Sequence, residues 1–180
     1  TVIFNQDSKR QTPSDYKVLR AIGQGNMGTV YLARKEPDDG IDYAIKVLRT
    51  TDIDNLENSP AIERFRREAQ ACLMVNHPNI VKIYDYGIAQ QNIEPYIVME
   101  YLRGKSLKFL INRGDLQLHQ KAHILAQIAD ALLAIHKSGI CHRDIKPSNI
   151  VVDENLNTKI TDFGIARMPE SDLTMTSSFV

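Results

Sequence analysis

His142-Arg143-Asp144-Ile145-Lys146-Pro147-Ser148-Asn149 fills residues 142–149, and thirteen residues beyond Asn149 stands Asp162-Phe163-Gly164. This short stretch holds two carboxylates (Asp144, Asp162), an ammonium (Lys146) and a neutral amide oxygen (Asn149). Phosphoryl transfer asks a protein for that set. It needs an acceptor facing a hydroxyl proton, a cation beside the moving group and oxygen ligands for a divalent metal. Two multi-residue motifs at this spacing are a strong signal, and no purely structural reading explains both.

The rest of the composition narrows the setting. The chain has 180 residues, 43% hydrophobic and 24% charged, which suits a soluble globular chain with one or two small lobes. Its 22 basic and 22 acidic side chains cancel, so no electrostatic footprint for nucleic acid or an anionic membrane exists. Cys72 and Cys141 have no partners at metal-ligand spacing and read as small buried thiols in a reducing compartment. No apolar leader or bilayer-length apolar run is present. The expectation is a cytoplasmic domain, with any membrane anchor lying past residue 180.

Residues 1–14 are polar and read as a flexible leader. Alternation predicts strands over 16–22 and 28–34 around a glycine-rich turn, then a hairpin turn at Pro37-Asp38-Asp39-Gly40 and a strand over 43–48. Ser59 is a candidate N-cap with Pro60 in the first helical position. Ile62, Phe65, Ala69, Cys72 and Leu73 then recur at helical spacing. Two more strands, over 80–86 and 96–100, complete five. A boundary falls near residue 102, and residues 120–137 read as a helix with Leu125, Ile128, Ala129, Leu132 and Ile135 on its buried face.

Gly23-Gln24-Gly25-Asn26-Met27-Gly28 is a G-x-G-x-x-G. The dinucleotide reading of that pattern requires a helix directly after the third glycine. Thr29-Val30-Tyr31-Leu32-Ala33 alternates as a strand instead, and Thr29 stands where a Walker A lysine would be. Glycines here bring backbone N–H groups close to phosphates. In Tyr43-Ala44-Ile45-Lys46, alternation sends Ala44 and Lys46 to one face, under that loop.

These motifs together resemble the Hanks-type (eukaryotic-type) protein kinases, in their serine/threonine branch because of Lys146 two residues after Asp144. The activation-segment pattern is similar to bacterial members. The resemblance implies an α+β, two-lobed fold. A first lobe over 15–102 would hold a five-stranded antiparallel sheet and one helix, and 103–180 would form a partial, mainly helical second lobe. It implies ATP and magnesium, or manganese in its place. Ile22, Gly23, Gln24, Gly25, Asn26, Met27, Gly28, Val30, Ala44 and Lys46 would meet the nucleotide from above. Met99 would guard the back of the pocket, Glu100 and Leu102 would offer main-chain contacts, and Val151 would lie beneath the purine.

By the same resemblance Asp144 orients the substrate hydroxyl, Lys146 steadies the transferred group, and Asn149 and Asp162 hold the metal. Lys46 is expected to pair with Glu68 and fix the phosphates. Histidine is the commonest general base, but the resemblance gives His142 a supporting role and Arg143 the task of pairing with a phosphorylated loop. Thr174 and Thr176 are the phosphoacceptor candidates, ahead of Ser177 and Ser178. Protein substrates with Ser/Thr acceptors and self-association for autophosphorylation are the implied partners. The sequence stops at Val180 inside the expected activation segment, so the expectation is a truncated domain. The rival reading is a nucleotide-binding or regulatory module without turnover.

Overall fold

The computed structural model describes residues 15–25, 28–48, 60–89 and 94–163. Five strands, β1 (Tyr16–Gly25), β2 (Gly28–Lys35), β3 (Asp42–Leu48), β4 (Ile83–Ala89) and β5 (Glu94–Glu100), form one sheet in the order β1-β2-β3-β5-β4. All its pairings are antiparallel. One helix, α1 (Pro60–Leu73), accompanies this sheet. The expected α+β architecture of five strands and one helix is therefore present.

Central β3 is apolar on both faces, and both are covered. Tyr43, Ile45 and Val47 join Ala33 and Val98 in one cluster, while Ala44 and Leu48 join the main core with Phe65, Ala69 and Cys72 of α1. Ile62 and Ala69 are fully buried and Phe65 nearly so. Burial of a side chain the size of Phe65 stabilises by about 1.5–3 kcal/mol. The stripe read from helical spacing is thus the packed face of α1, except Leu73, which is exposed.

Beyond β5 the chain forms β6 (Lys105–Ser106), α2 (Leu107–Arg113), α3 (Leu118–Lys137), a 3₁₀ turn over Pro147–Asn149, β7 (Ile150–Val152) and β8 (Thr158–Ile160). β6, β7 and β8 make a small second sheet. Helix α2 was not anticipated, although its signals are in the sequence. Ser106 caps its start by accepting the Phe109 N–H at 3.2 Å, and Gly114 ends it in the left-handed region. Helix α3 starts two residues earlier than expected because Gln117 and Gln120 cap each other reciprocally.

The buried face of α3 is Ile124, Ile128, Ala131 and Ile135, whereas Leu125 and Ala129 are exposed. This corrects the expected face. The helix is apolar on more than one side, so periodicity alone cannot choose; packing against β8 does. Strand β4 also begins later than expected, and Ile80 makes an isolated parallel bridge to Ile160. Around that bridge Asn79 Nδ2 donates to Gln127 Oε1 at 2.7 Å and to Thr158 O at 2.8 Å. The loop before β4 is thereby tied to α3 and β8. His77 contacts Asp130 Oδ2 at 3.2 Å through Nε2.

Candidate active site

Register puts Val30 opposite Lys46, Leu32 opposite Ala44, and Ala44 opposite Met99. Opposed residues share a face, so Val30, Ala44, Lys46 and Met99 stand on one side of the sheet. Gly28, at φ 144, begins β2, and a Cβ there would lie 2.0 Å from the Val47 carbonyl oxygen. Only glycine fits at that crossing. Asn26 and Met27 lie outside the described residues, as do Ser59, Gly164 and the candidates Thr174, Thr176, Ser177 and Ser178.

Below the sheet, the 3₁₀ turn folds the segment 142–149 back on itself. Asp144 Oδ2 accepts from Lys146 Nζ at 2.7 Å and from Asn149 Nδ2 at 2.9 Å. Asn149 Nδ2 also donates to the Asp144 carbonyl at 3.0 Å. The Asn149 amide nitrogen is thus committed to the loop, while its Oδ1 accepts a long bond from Ser148 Oγ at 3.4 Å and keeps capacity for another partner. Asp162 accepts from Lys46 Nζ at 2.6 Å through Oδ1. Asn149 and Asp162 thus supply an amide oxygen and a carboxylate, which fits magnesium, an ion that takes few protein oxygens and completes its octahedron with phosphates and waters. Arg143 and Asp162 both hold positive φ, 60° and 58°. Such backbone costs about 1–3 kcal/mol per residue and persists where the surroundings enforce it, often at functional sites.

His142 is nearly fully buried. Its Nε2–H donates to the Thr161 carbonyl at 3.1 Å, and its Nδ1 accepts the Asp144 N–H at 3.4 Å. The ring lies 5.1 Å from Phe163. Burial pushes its pKa below the ordinary value, against the pull of the Thr161 bond and of the nearby Asp144 and Asp162 carboxylates. Both ring nitrogens are occupied, so the imidazole is neutral and cannot reach a substrate proton.

A cleft of about 710 Å³ is lined by Gly23, Gln24, Gly25, Gly28, Val30, Lys46, Asp144, Lys146, Asn149 and Asp162, and also by Lys108 and Ser148. Lys108 was missed because α2 was missed. Met99 lines a small void of about 20 Å³ with Lys46 and Asp162. Ala44 is buried, and Ile22 packs partly buried against the core. Glu100, Leu102 and Val151 line a separate cavity of about 300 Å³. The phosphate and metal candidates therefore share one space, and three of the purine candidates share another.

The expected Lys46–Glu68 pair is not made. Lys46 is engaged by Asp162, and Glu68 Oε1 accepts instead from Arg143 Nη1 at 2.7 Å. Each cation takes the carboxylate within its reach, and Glu68 is only 32% exposed on the border of α1 where periodicity put it. Arg143, Glu68, Cys72 and Cys141 line a cavity of about 150 Å³ between α1 and the segment 139–143. Burial, then the Glu68 charge, push the Cys72 thiol up to about 12, leaving it inert. Cys141 is exposed, against the expectation that both thiols are buried.

Comparison with known proteins identifies the family of the chain. The protein kinase domain family matches residues 16–180. The chain is 44% identical over 165 residues to the serine/threonine-protein kinase PrkC of Bacillus subtilis, covering 91% of this chain and 24% of that protein. It is 40% identical over 166 residues to the probable serine/threonine-protein kinase PknB of Lactococcus lactis, covering 91% and 26%. Identity to the serine/threonine-protein kinase PknA of Mycobacterium tuberculosis is 40% over 157 residues, covering 84% and 35%. The chain thus spans about a quarter to a third of the length of these relatives. A match that runs over residues 16–180, from β1 to Val180, leaves one family: the chain belongs to the protein kinase domain family, as a Hanks-type member similar to bacterial serine/threonine kinases.

Proposed function

We propose that the protein transfers the γ-phosphoryl group of ATP to serine and threonine hydroxyls of protein substrates, in the cytoplasm where ATP is supplied. The observation that carries this is the single cleft of about 710 Å³ shared by Lys46, Asp144, Lys146, Asn149 and Asp162 with the glycine loop. Magnesium, or manganese in its place, supplies charge neutralisation between the phosphates when bound.

Asn149 and Asp162 hold that ion through oxygen atoms. Asp144, fixed by Lys146 and Asn149, orients the acceptor hydroxyl and takes its proton; a loose transition state needs placement more than a strong base. Lys146 is close enough to Asp144 to follow the transferred group. Lys46 neutralises the phosphates under the glycine loop. Thr174 and Thr176 are the proposed phosphoacceptors of an activating reaction between two copies, with Arg143 as the phosphate's partner. Relatives named as kinases, together with filled polar positions throughout the cleft, favour turnover over a binding module.

The test uses the full-length protein with Mg-ATP and a generic protein acceptor. Phosphoserine and phosphothreonine should appear in the acceptor, and Asp144→Asn should lower the rate by about 10²–10⁴-fold. A folded wild type that neither binds Mg-ATP nor labels any acceptor overturns the reading.

A further inference from the structure

Glu100 ends β5, and the next three residues, Tyr101–Arg103, belong to no strand or helix. Two side chains pin this connector. At its far end Arg103 Nη2 donates to Asp42 Oδ2 of β3 at 3.0 Å. At its near end Glu100 Oε1 accepts both the Lys82 backbone N–H and the Lys159 ammonium, each at 2.7 Å. Lys159 Nζ also reaches the Ile80 carbonyl at 3.4 Å. Glu100 returns its own N–H to the Lys82 carbonyl at 2.9 Å. The two charged side chains are 22% and 29% exposed, so water screens them less than a surface pair.

Lys159 lies on β8, three residues before Asp162. It pairs in register with Val151, so the two side chains stand on one side of the β7–β8 hairpin. Glu100, Leu102, Val151 and Lys159 all line the cavity of about 300 Å³. One ammonium thus joins the connector that would meet the purine edge, the strand that would lie beneath it and the segment leading to the metal candidate.

We propose that Lys159 is a positioning residue for the nucleotide. It holds the Glu100 carboxylate and so sets the Glu100–Leu102 backbone at a fixed height over Val151. The proposal rests on the kinase reading of that connector. A backbone that must meet a ligand edge within hydrogen-bond distance loses affinity when its anchor is free to move. The expected effect therefore falls on nucleotide affinity and not on the chemical step.

The experiment measures Mg-ATP binding by calorimetry, and the rate at saturating ATP, on the full-length protein. Lys159→Met keeps the aliphatic stem and removes the ammonium. It should raise Kd by about three- to tenfold, while the saturated rate changes by less than about twofold, as for loss of one charge-assisted hydrogen bond outside the reacting centre. Lys159→Arg should restore Kd to within about twofold of wild type, because the charge returns. Glu100→Gln keeps an oxygen for the Lys82 N–H and should weaken binding in the same direction; it serves as the test if Lys159→Met does not fold. Wild-type Kd in Lys159→Met, or in Glu100→Gln where that variant stands in, overturns the proposal while leaving the kinase reading intact. A saturated rate that falls with Kd unchanged does the same. Absence of Mg-ATP binding by folded wild type overturns the kinase reading and takes this proposal with it.

Discussion

Arg143 donates from Nη1 to Glu68 Oε1 at 2.7 Å across seventy-five residues of chain. The helix carboxylate is thereby held by the segment 142–149, and Lys46 is left to Asp162. One guanidinium therefore sits between two claims: Glu68 now, and a phosphorylated threonine under the proposed regulation. A dianionic phosphate outcompetes a single carboxylate for a planar fork of donors. Its arrival would free Glu68.

If Arg143 is that shared partner, activity should depend on phosphate only while Arg143 is present. Phosphatase treatment of active full-length protein should lower its rate by about tenfold or more, as loss of one to three charge-assisted hydrogen bonds would. Arg143→Ala should make the treated and untreated forms equal. A variant that still responds to phosphatase would remove Arg143 from this role.

Lys46 is 7% exposed and donates to the Asp162 carboxylate at 2.6 Å. Lys46→Ala should cut turnover by roughly 10²–10³-fold, the usual cost of removing one transition-state electrostatic contact. Steady-state kinetics on the full-length protein would decide this, and wild-type turnover would place Lys46 outside the chemistry.

His142 gives a pH prediction with a definite sign. Its folded-state pKa lies below its ordinary 6.5 because burial disfavours the imidazolium. Between those two values the unfolded chain binds more protons, so stability rises with pH there. The contribution is complete above about 6.5 and is lost as pH falls through the folded value. Thermal melts should show Tm dropping on acidification below neutrality, with a shallower drop for His142→Phe. Parallel pH profiles for the two proteins would contradict the assignment.

The two faces of α3 should respond differently to truncation. Ile135 is fully buried and Leu125 is 62% exposed. Denaturant melts should show Ile135→Ala costing about 2–5 kcal/mol. Leu125→Ala should stay within about 0.5–1 kcal/mol. Equal costs would mean that the packed face has been misassigned.

The sequence by itself determined the polar side chains offered to the cleft and most of the order of elements. Asp144, Lys146, Asn149 and Asp162 lie close in the chain, and the period-two pattern around Ala44 and Lys46 puts both on one face, as the register has them. Local signals also carried the glycine turn and α1, because alternation, caps and turn residues act over a few positions. What only the tertiary structure decided were choices among partners distant in sequence. Lys46 could meet Glu68 or Asp162, and Glu68 could meet Lys46 or Arg143; the distances, not the residue types, chose. The buried side of α3 was open for the same reason, since Leu125 and Ile124 are equally apolar and only β8 distinguishes them. The Glu100–Lys159 pair, fifty-nine residues apart, left no trace in any local pattern. Ion pairs depend on where side-chain tips converge, and that is set by packing of elements whose approach no periodicity encodes.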